Sequence, residues 1–293
     1  MRKGKLRISL RRKMFILNTV TILMVAFGTA VLSYRISANI IDDYYRNLTM
    51  DCAENFAMMV DPEMLMEIRR VEESDEYQAV RAHAEETDNE QEVEDYLREQ
   101  GLWDPFKHTR DMIDSYIESM DAIEYTYILA RNETGGNIDM YIMDDSTNPT
   151  YVAGSFIESE PEFAGIDATQ RIEPTISNGE WGWLCSAYVP MFLEDGTVVG
   201  QIGCDIGMDG VMQERRTYFF YILIGAVVLT LLMVVLSGFL LDRFMVRRVS
   251  GLTDELKKFN PAPVQDYDDA GVLHAPDRDN DEIDELYDSV HDM

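Results

Sequence analysis

Tyr188 and Asp205 are the side chains in this 293-residue chain best placed by type and spacing to meet a small molecule. They lie in two alternating runs, 182–190 and 198–206, separated by a turn that contains Asp195-Gly196. That dipeptide between such runs is a strong hairpin signal. If it forms a two-residue turn, Glu194 pairs with Thr197, Ser186 faces Asp205 and Tyr188 faces Gly203, with Gln201 further along the same side. Successive strand residues point to opposite faces, so Trp183, Cys185, Ala187 and Val189 share the other side with Ile202, Cys204 and Ile206. That side is apolar and has to be covered. The first side mixes aromatic, hydroxyl and carboxylate groups, as small-molecule pockets do, although a solvated face would read the same way. Tyr127, Arg131, Tyr141 and Trp181 complete the candidate set. A buried carboxylate at Asp205 needs a cationic or hydrogen-bonded partner, which suggests an amine-bearing or otherwise polar ligand. An inward-pointing Arg131 would instead pair with a carboxylate, which suits an amino acid or organic acid.

The elements that would hold these groups follow from periodicity. Residues 125–131 and 138–143 alternate around Asn132-Glu133-Thr134-Gly135-Gly136-Asn137 and predict a first hairpin. Upstream the pattern is helical. Ile36, Ile40, Tyr44, Leu48, Cys52 and Met59 suggest one face of a long helix, and Asp61-Pro62 starts a second. The acidic stretch 72–99 reads as solvated helix and loop, and 111–120 as a further short helix. Helices followed by an antiparallel sheet make the expected class α+β.

Together these residues carry a resemblance. Glu180-Trp181-Gly182, Ser186-Ala187-Tyr188-Val189-Pro190, Asp195-Gly196 and residues 198–206 (VVGQIGCDI) look like the end of a Cache sensor domain. Tyr125-Thr126-Tyr127-Ile128-Leu129, then Tyr141-Ile142 and Asp144, is similar to the first hairpin of that family. The resemblance covers 122–209. It implies a long N-terminal helix on a five- or six-stranded PAS-like sheet, a single module with its ligand on the face opposite the helix. The family places an amine on this Asp. The Arg-x-Trp-Tyr string of its amino-acid-binding double modules is absent, so that ligand class does not carry over.

Two segments set the compartments. Residues 14–34 and 217–241 are uncharged runs of about the 20 residues a bilayer helix needs. The first is longer than the apolar region of a signal peptide, and it leads straight into a helical pattern. Residues 1–13 hold seven Lys or Arg, and Arg243, Arg247, Arg248, Lys257 and Lys258 follow the second run. Basic flanks stay inside, so the expected order is a cytoplasmic N-terminus (1–13), a transmembrane helix (14–34), an extracytoplasmic domain (35–216), a second transmembrane helix (217–241) and a cytoplasmic tail (242–293). Of the net charge of −29, the outer segment alone accounts for −28. Such a surface repels phosphates, which excludes nucleic acid as a partner.

In the tail, Val249, Leu252, Leu256 and Phe259 recur at 3-4-3 spacing, as do Ile283, Leu286, Val290 and Met293. Two heptad stripes around a Pro- and Gly-containing connector resemble a HAMP linker, with Asp281-Glu282-Ile283 at the usual start of its second helix. That implies a parallel four-helix bundle, hence a homodimer. Amphipathic helices lying on the membrane are the alternative. The usual Pro near the start of the first helix is missing.

Catalytic and metal chemistry is thin. Four His are scattered, and Asp277-x-Asp279-x-Asp281 lacks the Gly a calcium loop needs. No phosphate-binding Gly loop, nucleophile elbow or kinase signature occurs, so no catalytic residue, metal or cofactor is expected. Cys52, Cys185 and Cys204 are odd in number and are expected as buried free thiols. The function expected is that of a signal-transducing membrane receptor for a small extracellular ligand. Its cytoplasmic output (chemotaxis, His kinase, cyclase or phosphatase) would belong to a partner or to a longer form. A membrane-anchored ectoenzyme or binding protein with an inert tail is the competing reading.

Overall fold

A computed structural model describes residues 10–131, 138–159 and 168–243. The tail stripes of the proposed HAMP linker and the turn 132–137 lie outside the described residues. The chain divides into two compact units, one formed by residues 36–217 and the other by the segments before and after them.

The inner unit is α+β. Its helical layer consists of the C-terminal part of α1 (Leu10–Ala57), then α2 (Pro62–Glu72), α3 (Asp75–Thr87), α4 (Gln91–Glu99) and α5 (Trp103–Ser119). Asp61 caps α2 as predicted, its carboxylate accepting the Glu63 N–H, and Ser74 caps α3 in the same way. α5 starts earlier than the predicted 111. Pro105 falls in its first turn, where the missing N–H costs no intrahelical bond.

Six strands follow: β1 (Ile123–Arg131), β2 (Ile138–Met143), β3 (Phe156–Glu158), β4 (Ile172–Gly179), β5 (Gly182–Phe192) and β6 (Val198–Gly207). They form one curled antiparallel sheet in the order β3-β2-β1-β6-β5-β4. The first and last strands are thus central neighbours. β4 carries Pro174, which an edge strand tolerates because its outer side needs no ladder donor.

The β5–β6 register runs as expected over most of its length, with Ser186 opposite Asp205 and Tyr188 opposite Gly203. The turn itself differs from the two-residue form. The Leu193 N–H donates to the Thr197 carbonyl, and the Gly196 N–H donates to the Leu193 carbonyl. The loop is therefore Glu194-Asp195-Gly196, with Gly196 at φ +86°. This offsets the pairing by one residue. A bulge at Val199 on β6, opposite Met191 and Phe192, absorbs the offset before the strands reach Tyr188.

One sheet face meets the helices. Phe56, Leu65, Ile68, Tyr77, Leu97, Phe106 and Ile113 pack with Ile128, Cys185, Ala187, Ile202, Cys204 and Ile206, all at most 1% exposed. Burying each large side chain stabilises the fold by roughly 1.5–3 kcal/mol. The expected stripe on α1 needs correction. Cys52 is buried, but Ile36, Ile40, Tyr44 and Met59 are at least half exposed, and the inward set is Thr49, Met50, Cys52, Ala53 and Phe56. A step of four residues turns a helix by about 400°, so each step drifts about 40° around the axis. Ile36 and Cys52 consequently lie on nearly opposite sides. Met59 lies beyond the end of the helix.

In the other unit, α1 and α6 (Asp209–Leu241) contribute the long apolar segments. Both helices are long and apolar enough to cross a membrane, and the most apolar windows are 0% and 6% buried. A soluble core helix would be mostly covered. Here Leu17, Met24, Phe27, Leu231, Val235 and Phe239 face outward. The Asn18 side-chain amide donates to Ser237 Oγ, and the rings of Tyr34 and Phe219 meet edge-on at 5.3 Å.

Candidate functional site

The sheet face opposite the helices collects most of the predicted residues because alternation and register leave them no other side. β1 presents Tyr125, Tyr127, Leu129 and Arg131, and β6 presents Gln201, Gly203 and Asp205. β5 adds Ser186 and Tyr188, while β2 adds Asp139 and Tyr141. Tyr127, Leu129, Ile172 and Tyr188 form a second hydrophobic cluster, separate from the main core.

At its centre the Tyr127 and Tyr188 hydroxyls are hydrogen-bonded at 2.8 Å. Both tyrosines lie opposite Gly203, one from each neighbouring strand. A Cβ at 203 would stand 2.3 Å from the Tyr127 ring, so glycine is what lets that ring lie across β6. Burial, then the nearby charge of Asp205, holds the Tyr127 hydroxyl well above its ordinary pKa. It therefore acts as a neutral donor and acceptor.

Charged groups flank this pair. The Arg131 guanidinium sits over the Tyr188 ring, 4.6 Å from its centroid, and its Nη1 lies 4.0 Å from Asp139 Oδ2. Arg131, Asp139, Ser186 and Asp205 are each 4–5% exposed. Among the described residues the cluster formally holds one cation, Arg131, against two carboxylates, Asp139 and Asp205. Gln201 is fully buried, and its Nε2 donates to the Ala168 and Gln170 carbonyls, which draws that segment over the face. Tyr141 is half-buried with its ring edge-on to Tyr127 at 5.8 Å.

Seven of the eight predicted residues thus share one face. Trp181 does not join them inside. It is 69% exposed in the β4–β5 turn and meets Tyr125 edge-on at 6.0 Å, at the rim. Sequence reasoning missed Asp139, Tyr125, Leu129 and Gly203 as members. The alternation that selects Tyr127 and Arg131 already selects Tyr125 and Leu129. The Arg131–Asp139 pair depends on a register across residues 132–137, which a six-residue turn leaves open.

Two clefts of about 360 and 340 Å³ lie elsewhere on this unit, at Met59, His108 and Tyr116, and at Glu54, Pro62 and Phe192. Neither is lined by any of the eight residues. Among the described residues no group of three or more His, Cys, Asp or Glu could hold a metal ion. Comparison with protein-family models, curated proteins and solved structures gave no match.

Proposed function

We propose that this chain is a membrane receptor whose extracytoplasmic Cache-like domain binds a small polar ligand, an amine in the first instance, and signals through a HAMP-like tail. The observation that carries this reading is the buried Tyr127–Tyr188–Arg131–Asp205 constellation on the sheet face away from the helices. A structural sheet face would be filled with aliphatic side chains or left to solvent. Here it is polar, aromatic and mostly covered. With two carboxylates to one guanidinium, the formal charge balance favours a cationic guest over an anionic one, which ranks an amine above an organic acid. The aromatic rings suit a cation as well.

The single sheet with two apolar helices at its ends supports a receptor organisation. The side chains of Arg215 and Asp42 form an ion pair that joins α6 to α1 within the sheet-bearing unit. Ligand-driven movement of β6 would thereby reach both helices that lead to the membrane. Homodimerisation, both termini in the cytoplasm, and a separate output partner belong to this proposal.

The test is a thermal-shift screen of amines, amino acids and organic acids against the full chain in detergent, followed by Asp205→Asn on any hit. Loss of a charge-assisted contact weakens binding by about 1.5–3 kcal/mol, or roughly 10- to 150-fold. A folded Asp205→Asn variant that binds the hit unchanged would place the site elsewhere.

A further inference from the structure

Among the described residues, Gln201 Oε1 and Thr175 Oγ1 are buried oxygens without a hydrogen-bond partner. Both belong to the sheet face that carries the tyrosine pair, and they stand far apart on it. Thr175 on β4 lies opposite Ser186, which lies opposite Asp205, so the three form one row across β4, β5 and β6. Gln201 is four positions from Asp205 on β6, roughly 13 Å along the strand. We propose that the ligand is a difunctional primary amine. Its ammonium lies at the Thr175–Ser186–Asp205 row, and an N–H or O–H donor at its other end bonds Gln201 Oε1. The inference rests on the ligand face proposed above and specifies the guest of that face.

The Gln201 amide carries the argument. Its orientation is fixed, because Nε2 donates to the Ala168 and Gln170 carbonyls at 3.0 and 3.3 Å, and a reversed amide would set oxygen against both. The neighbouring strands offer Oε1 no donor. Leu129, opposite on β1, is apolar, and Pro190, opposite on β5, has no polar side-chain atom. Gln201 is 0% exposed, so solvent is not at hand to replace them. Buried acceptors are nearly always paired, since leaving one without a donor forfeits its hydration and returns nothing. A guest that brings the donor restores that bond, and a guest that lacks it leaves the oxygen unpaired. Gln201 thereby acts as a selector, as buried polar groups do in sites that reject analogues lacking one hydroxyl. At the other end, the Thr175 and Ser186 hydroxyls stand in the row of the Asp205 carboxylate. A primary ammonium has three N–H donors to share among such oxygens, and a quaternary one has none.

The experiment is a calorimetric titration of the full chain in detergent with ω-amino alcohols of about four to eight carbons, which cover the reach between positions 205 and 201. Each is compared with the n-alkylamine in which a methyl replaces the terminal hydroxyl. The best-fitting amino alcohol is expected to bind about 10-fold more tightly than its alkylamine. Gln201→Met keeps the side-chain length but removes both the tether to Ala168 and Gln170 and the acceptor. Loss of the tether weakens both members of a pair alike, so their ratio isolates the acceptor, and the preference should vanish. Thr175→Val should weaken both members and leave their ratio as in the wild type. The wild-type ratio is a reading in its own right where Gln201→Met does not fold. Asp205→Asn separates this inference from the one beneath it. Amines that bind through Asp205 with no preference for a terminal donor overturn the inference alone, as does a preference that survives Gln201→Met or disappears in Thr175→Val. Absence of any Asp205-dependent amine binding overturns the ligand face as well.

Discussion

At the level of single residues, Gly203 and Asp144 make the sharpest demands. Gly203→Ala inserts a methyl into the Tyr127 ring, so the ring has to move and its bond to Tyr188 is lost. Overpacking of this kind costs about 1–3 kcal/mol. If Tyr127 and Tyr188 frame the ligand, Gly203→Ala should also abolish binding, whereas Tyr127→Phe keeps the shape and costs only the hydroxyl contact. Both are read by denaturant unfolding followed through tryptophan fluorescence. Trp103, Trp181 and Trp183 all lie in the sheet-bearing unit, so the signal reports that unit alone. Asp144 offers a pH test. Burial first, then the charge of Asp145, raises its carboxyl to about 6 against the Asn148 and backbone hydrogen bonds that lower it. A raised acid pKa means that the folded chain holds the proton more tightly. The contribution is therefore complete below about pH 4 and is lost as pH climbs through 6, amounting to about 2–3 kcal/mol. Asp144→Asn keeps an acceptor for the Asp145 N–H. It should flatten the pH 4–6 slope and stabilise the chain at pH 7; an unchanged slope would show that another group titrates.

At the level of elements, the β5–β6 hairpin shows what a sequence can and cannot specify. Asp195-Gly196 locates the turn, and alternation assigns faces, because both depend on local sterics. Whether the loop has two or three residues is a smaller energetic matter, and the three-residue loop goes with the bulge at Val199 on β6. Since Gly196 sits at φ +86° with open space around its missing Cβ, Gly196→Ala should cost about 1 kcal/mol of pure backbone strain. A cost of several kcal/mol would mean that the side chain meets something. The α1 stripe failed for a geometric reason, the drift of four-residue steps, and only packing against the sheet picks out Thr49, Cys52, Ala53 and Phe56. β3 and β4 were not read from the sequence. Phe156–Glu158 is too short to show a period, and Pro174 interrupts the other.

For the whole molecule the decisive question is whether the two apolar helices cross a membrane and, if they do, which side each segment occupies. α1 and α6 supply two apolar stretches whose side chains face outward, and the basic residues concentrate in 1–13 and just after 241. Placing seven cationic side chains across a bilayer is opposed at insertion, whereas the strongly acidic 36–217 segment meets little such bias. The expected arrangement puts that segment outside and residue 3 inside. The native thiols are buried, so an introduced cysteine can report the side. Glu86 is exposed on α3, and Glu86→Cys in intact cells should react with a membrane-impermeant maleimide. Lys3→Cys should react only after permeabilisation, and an N-terminal tag should remain on the full-length chain. The reverse labelling pattern would invert the topology. Loss of the tag with Glu86→Cys still labelled would make the first apolar run a cleaved leader, leaving the sheet-bearing unit tethered by α6 alone and removing α1 as a route from ligand to cytoplasm.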